Sequence, residues 1–250
     1  GLKAIDSVCQ LGNMIVWLGS ADLGNNGVYI NSGGVEAERE STPAIEREIS
    51  KFSNITDARA QLWQENQHIF YIIDFPSANK TYCYDVTEKS WTNRASLKED
   101  NTLISWRYSN ATMNGRGKIW QTADNCIVEQ TESKWNEHDD TPILRLRRGG
   151  VIYSDQSYFY INAIEININN GQYSSEFYKN PAQMMMRFTA DGANWTDLEY
   201  VDIGYTGNYD YDAIFYNFGM AKVFTIELSC SDNIPFALYS IKMNTDTMAY

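Results

Sequence analysis

The sequence predicts an all-β protein, built from β-propeller blades followed by a second β unit and carrying one short helix. Three observations lead there. Most segments are runs of about five to nine residues rich in β-branched and aromatic types. Turn signals such as Asn26-Gly27, Asn170-Gly171 and Asp191-Gly192 separate them. The stretch Thr87-Glu88-Lys89-Ser90-Trp91 is echoed 44 residues later by Thr131-Glu132-Ser133-Lys134-Trp135, a blade-sized interval. Fixed spacing and a shared motif favour radial repetition over an unordered meander, although hairpins resemble one another in many folds.

In chain order, Ile15-Val16-Trp17-Leu18 is expected to pair with Val28-Tyr29-Ile30. The helix signal follows at Ser41 to Ile49: Thr42 can cap, Pro43 suits the first turn, and Ile45, Ile49 and Phe52 share one side. The most informative stretch, Asp57 to Arg94, reads as one antiparallel blade. His68 to Phe75 is apolar enough to be a strand buried on both faces, and Pro76 stops it. Thr81 to Val86 returns with Tyr82, Tyr84 and Val86 on one face and Cys83 and Asp85 on the other. Ile119-Trp120 and Ile127-Val128 form a further hairpin.

The texture changes after Asp139-Asp140-Thr141-Pro142, which sets the expected organisation: blades over 1–141, as an incomplete propeller, and a sandwich-like or terminal propeller unit over 142–250. Strands of the second unit are expected at Ile143 to Arg148, around Ile164, Ile166 and Ile168 with Glu165, Asn167 and Asn169 outward, and near Met184–Thr189, Ile214–Phe218, Val223–Cys230 and Phe236–Met243.

Length allows one large core or two moderate ones without a disulfide framework: the chain has 250 residues. Cys9, Cys83, Cys126 and Cys230 lie far apart with no Cys-x-x-Cys pair, a pattern of reduced thiols rather than of a zinc site or secreted scaffold. With no signal peptide and no long apolar run, no membrane anchor is expected. The net charge of −12 opposes a surface that grips nucleic acid, because such binding rests on lysine and arginine neutralising phosphates. An acidic wall would instead repel a duplex and let it slide past; the same acidity also serves solubility.

No catalytic, cofactor or metal site emerges. His68 opens a buried strand and is read as a packing residue, and His138 in Glu137-His138-Asp139-Asp140 lacks ligand spacing. No Gly-x-Ser-x-Gly and no phosphate-cradling glycine loop occurs. Thr189 to Trp195 is similar to the aspartate-box turn of sialidase-like propellers, one residue short, and such a turn is structural. Arg145, Arg147 and Arg148 cannot converge as a sialidase-type triad, since Arg147 and Arg148 point to opposite faces. The chain holds 17 Tyr, 10 Phe and 7 Trp, and Tyr200, Tyr205, Tyr209 and Tyr211 alternate with Glu199, Asp202, Asp210 and Asp212. Such a surface suits a protein interface, or stacking on carbohydrate, because tyrosine covers area at low entropic cost and keeps a polar tip.

The residue order resembles the packaged-DNA stabilisation, or tail-hub, proteins of short-tailed bacteriophages. The matching residues are Ser41-Thr42 with Ala44-Ile45-Glu46 and Ile49; Asp57-Ala58 with Ala60; and Glu65, His68, Phe70-Tyr71, Phe75-Pro76, Tyr84-Asp85, Thr87, Trp91 and Arg94. The likeness extends more loosely through Phe188 to Trp195 and Phe218-Gly219 to Leu228 with Ser231-Asp232. It departs at Asn66-Gln67, where the family usually has a glycine-containing turn. Members are longer, which implies an amino-terminal part beyond this sequence. The resemblance implies a non-enzymatic virion protein that assembles in the host cytoplasm as a homo-oligomeric ring. It implies contacts with portal or adaptor and with tail needle or tail fibre proteins, and a channel that passes and retains DNA until ejection. The rival from another class is a glycan-binding or glycan-cleaving propeller.

Overall fold

A computed structural model describes residues 1–20, 26–114, 117–131, 133–154 and 158–247. The chain forms two compact units, Gly1–Thr131 and Glu132–Tyr250. The fold is all-β, with one α-helix among the described residues, and none of the described helices is long and apolar enough to cross a membrane.

The first unit contains three antiparallel sheets laid down one after another. The first joins β1 (Cys9–Leu11), β2 (Met14–Ser20), β3 (Asn26–Asn31) and β4 (Glu38–Arg39); the helix α1 (Pro43–Ile49) follows. The second holds β5 (Arg59–Glu65), β6 (His68–Phe75), β7 (Lys80–Asp85), β8 (Ser90–Leu97) and β9 (Leu103–Ser105), and the third β10 (Tyr108–Asn114), β11 (Gly117–Thr122) and β12 (Ile127–Gln130). In each sheet the spatial order equals the sequence order, the up-and-down pattern of propeller blades. The expected pairings appear as Trp17↔Tyr29, Ile72↔Cys83 and Trp120↔Val128.

The double burial of β6 follows from the two-residue period of a strand. Tyr71, Ile73 and Phe75, with Tyr82 and Tyr84 of β7, close on Val16, Leu18, Val28 and Ile30 of the first sheet and on Ile49 of α1. Ile72 and Cys83 face the other way, onto Trp63 and Trp120. Thr42 caps α1, its hydroxyl accepting from the Ile45 N–H at 3.4 Å, and Phe52 beyond the helix packs its ring 5.1 Å from that of Phe75. After Phe75 the chain turns through Pro76–Ala78 and reverses at Asn79, whose φ of +52° suits asparagine.

The Thr-Glu-Trp echo does not mark equivalent places. Trp91 lies in β8, its ring stacked 4.9 Å from Tyr84 and its indole N–H donated to the Glu40 carbonyl at 2.9 Å. Trp135 lies outside any strand in the second unit, with its backbone N–H on Asn233 Oδ1 at 3.0 Å; Glu132 is outside the described residues. The difference starts two residues before each threonine. Asp85 gathers the Thr87 and Glu88 N–H groups into an Asx turn at 2.9 and 3.2 Å, whereas Glu129, longer by a methylene, stands exposed in β12.

The second unit pairs two antiparallel sheets face to face. One has the order β13-β19-β16-β17, from β13 (Arg145–Arg148), β19 (Val223–Cys230), β16 (Ala182–Thr189) and β17 (Glu199–Gly204), with β14 (Ile152–Tyr153) also on β19. The other is β18-β15-β20, from β18 (Ala213–Ala221), β15 (Phe159–Ile168) and β20 (Leu238–Thr247). Ile161, Ile164 and Ile166 of β15 meet Met184 and Met186 of β16 and Phe224 and Leu228 of β19 in one core. A bulge between Ile161 and Ala163 shifts the register against both neighbours and moves the buried positions from 159 and 161 to 164, 166 and 168.

Candidate functional site

The four tyrosines separate into two roles. β17 ends at Gly204 (φ +104°), where a Cβ would lie 3.3 Å from Cβ and Cγ of Tyr211, so the half-buried Tyr211 closes the turn rather than presenting a surface. The connection that follows is tied to the segment 170–178. The Asn170 amide donates to the Tyr211 carbonyl at 2.6 Å, the Gly207 N–H to Gly171 O at 2.9 Å and the Thr206 hydroxyl to Ser174 O at 2.7 Å. Gly171 (φ +77°) sits so close that a Cβ would reach 2.8 Å from Asn208 O. From this fixed support Tyr200, Tyr205 and Tyr209 project, 61%, 39% and 70% exposed, among the exposed carboxylates of Glu199, Asp210 and Asp212.

Across the same sheet three arginines take internal partners. Arg148 Nε and Arg187 Nε reach the two oxygens of buried Glu227 at 3.0 and 2.6 Å, and both guanidinium groups lie over the Trp195 ring at 4.8 and 5.3 Å. Arg145 donates to the carbonyls of Asp232 and Trp135 at 2.9 and 3.1 Å, and burial pulls its pKa below the ordinary guanidinium value. Glu227 went unremarked in the sequence; its signal is a lone carboxylate inside the apolar run Val223 to Cys230.

The Asp191 turn is likewise internal. Its carboxylate accepts the N–H groups of Asn194 and Ala193 at 2.8 and 2.9 Å and the Thr189 hydroxyl at 2.9 Å, which holds it well below the usual carboxylate range.

In the first unit a cleft of about 390 Å³ is lined by residues of the second and third sheets, among them Arg59, Gln61, Asp74, Thr81, Trp106 and Asn110. Its polar groups are occupied by each other: Thr81 donates to Asp74 at 2.8 Å and accepts from the Trp106 N–H at 3.0 Å, and Gln61 accepts from the Ala111 N–H at 2.8 Å. Asp74, raised in pKa by burial, is the one carboxylate lining it, whereas glycoside hydrolysis in its usual form needs a facing pair.

The residues that carry the family resemblance are staples of the blade. His68 Nδ1 lies 2.7 Å from Asp85 Oδ2, and the Thr87 hydroxyl accepts from the Ile69 N–H at 3.2 Å. Asp57 accepts the Ser77 hydroxyl and N–H at 2.6 and 2.9 Å, and Tyr84 donates to Glu40. Arg94 covers Trp106 at 4.8 Å. Among the described residues no three His, Cys, Asp or Glu side chains converge as a metal site.

Residues 1–127, half of the chain, match the family described as Bacteriophage P22 Gp10, beta-propeller. The chain belongs to this phage-stabilisation family. It is therefore a structural phage protein of the DNA-stabilisation β-propeller type, and the matched region takes in the first two meander sheets and the third as far as the start of β12. No curated protein matches. Among solved structures, an arabinoxylan arabinofuranohydrolase of glycoside hydrolase family 43 from Bacillus subtilis, in complex with cellotetraose, is 8% identical with a TM-score of 0.26, over 96% of this chain and 54% of its own. TolB from Acinetobacter baumannii is 14% identical with a TM-score of 0.26, over 96% and 46%. A glycoside hydrolase is 9% identical with a TM-score of 0.22, over 95% and 59%. The chain thus spans about half the length of these structures, and likeness at this level assigns no activity.

Proposed function

We propose that the chain is a tail-hub component of a short-tailed phage, assembling with copies of itself into a ring below the portal and adaptor. There it extends the DNA channel, meets tail needle or tail fibre proteins, and keeps the packaged genome inside until ejection. The observation that carries this reading is the family match across the blade unit. The charge supports a passive channel: at −12 the surface lacks the concentrated lysine and arginine that duplex binding needs. Of the arginines on β13, Arg148 is held by Glu227, as is Arg187 of β16, and Arg145 by backbone carbonyls, which leaves Arg147 as a single charge rather than a concentrated basic surface. The projecting Tyr200, Tyr205 and Tyr209 then serve a neighbouring protein rather than a ligand pocket. Imaging the particle tests the placement. A ring of this protein coaxial with the portal is expected; density confined to the capsid exterior or a fibre tip would contradict it.

A further inference from the structure

The five-stranded sheet of the second unit has two opposite edges of opposite charge. β13, with β14, borders β19 on one side, and β17 ends the sheet on the other. The β13 edge reads Arg145-Leu146-Arg147-Arg148; the β17 edge reads Glu199-Tyr200-Val201-Asp202, with Asp197 just before it and Asp210 and Asp212 in the connection that follows. At the basic edge Arg148 pairs with Glu227, a carboxylate it shares with Arg187 of the inner strand β16, and exposed Arg147 has no ion-pair partner among the described residues. Asp232 is the carboxylate next to this edge, and its oxygen accepts the Gln183 N–H at 2.7 Å. On the acidic edge none of Asp197, Glu199, Asp202, Asp210 or Asp212 forms an ion pair among the described residues; Asp202 accepts only the Gln183 amide, at 3.0 Å.

Apolar surface accompanies both edges. Beside β13 an open groove of about 630 Å³ is lined by Leu146, Arg147, Leu228, Phe236, Leu238 and Ile241. Beside β17 the side chains of Leu198 and Tyr200 stand 44% and 61% exposed. A free strand edge presents unpaired N–H and C=O groups that another strand can take up. Charges commonly protect such an edge. Opposite signs on the two edges of one sheet do more, because like edges repel and unlike edges attract.

We infer that the acidic β17 edge of one copy docks on the basic β13 edge of the next, with Arg147 facing Glu199 on one face of the joined strands and, on the other, Asp202 facing Arg148 and Leu198 and Tyr200 meeting Leu146. This rests on the ring-forming reading and names its contact. The interface is heterologous, the kind that closes rings, and charge repulsion disfavours a two-fold pairing of identical edges.

Sedimentation velocity on the 250-residue chain tests it, with Arg147→Glu and the double variant Glu199→Lys/Asp202→Lys. The wild type is expected to self-associate, less so as salt rises from about 50 to about 500 mM. Each variant alone is expected to associate at least about tenfold more weakly. Mixed together they are expected to recover assembly, since one then offers an acidic β17 edge and the other a basic β13 edge. Glu199→Lys alone, at an exposed position, guards against misfolding of the double variant. Two results overturn the inference: wild-type rings that survive both reversals, which leaves the ring reading standing, or a wild type monomeric at every concentration, which removes both.

Discussion

Gln67 has φ +70° and Asn66 φ +48° in the two-residue turn that joins Glu65 of β5 to His68 of β6. Positive φ at both central positions is the type I′ pattern, which matches the twist of a hairpin but disfavours a side chain such as glutamine. The sequence showed the missing glycine; it did not show that the backbone keeps the glycine conformation regardless. Gln67→Gly is expected to stabilise by about 0.5–1 kcal/mol, the αL strain removed less the added entropy of the unfolded chain, in a denaturant titration. A loss of stability would mean that the glutamine side chain holds the turn. Burial along the adjoining strand is less even than the two-face reading of His68 to Phe75 suggests. Tyr71 is fully buried, its hydroxyl donated to the Ser7 carbonyl at 2.7 Å, whereas Phe70 is only partly buried beside the Trp63 and Trp120 cluster. Tyr71→Ala is therefore expected to cost about 3–5 kcal/mol and Phe70→Ala distinctly less. The reverse order, read from melting or denaturant curves, would relocate the core.

At the level of elements, the strands of the first unit were legible because period-two burial and turn residues are local properties, as β6 and β7 illustrate with their two buried faces. The bulge at Asn162 was not legible, since an extra residue changes no composition, only which partners face one another. The Thr-Glu-Trp echo misled because its geometry depends on Asp85, which lies outside the repeated letters. The connection into the Pro76–Ala78 turn carries a pH dependence. Hydrogen bonds from Ser77 hold the Asp57 carboxyl below its usual value, so its charged form favours the fold. That contribution is present above the ordinary carboxylate pKa of about 3.9 and lost as pH falls through the folded value. Asp74, raised by burial, acts in the opposite sense and loses its contribution as pH rises through its folded value. The melting temperature is accordingly expected to fall below about pH 4, less steeply in Asp57→Asn and more steeply in Asp74→Asn. Parallel profiles for all three proteins would remove both groups from the acid response.

For the whole molecule, family and fold were legible because the matching residues are turn staples and ring contacts of the blade, which recur wherever that blade is built. The candidate surface was legible in part. Tyrosines and carboxylates in alternation marked it, but only packing shows that Tyr211 supports the loop while Tyr200, Tyr205 and Tyr209 project. The basic edge facing away from it depends on sheet order, which no local pattern encodes. A net charge of −12 further implies that the isolated protein holds duplex DNA weakly near physiological salt, without sequence preference. Gel-shift titrations across salt concentrations check this, and submicromolar binding with a steep salt slope would replace a passive channel with an active grip. The most direct measurement of the central claim is genome retention. DNA-filled particles assembled without this protein are expected to release their DNA to added nuclease, and the purified chain in its full-length form is expected to restore protection. Particles that keep their genome equally well with and without it would contradict the account.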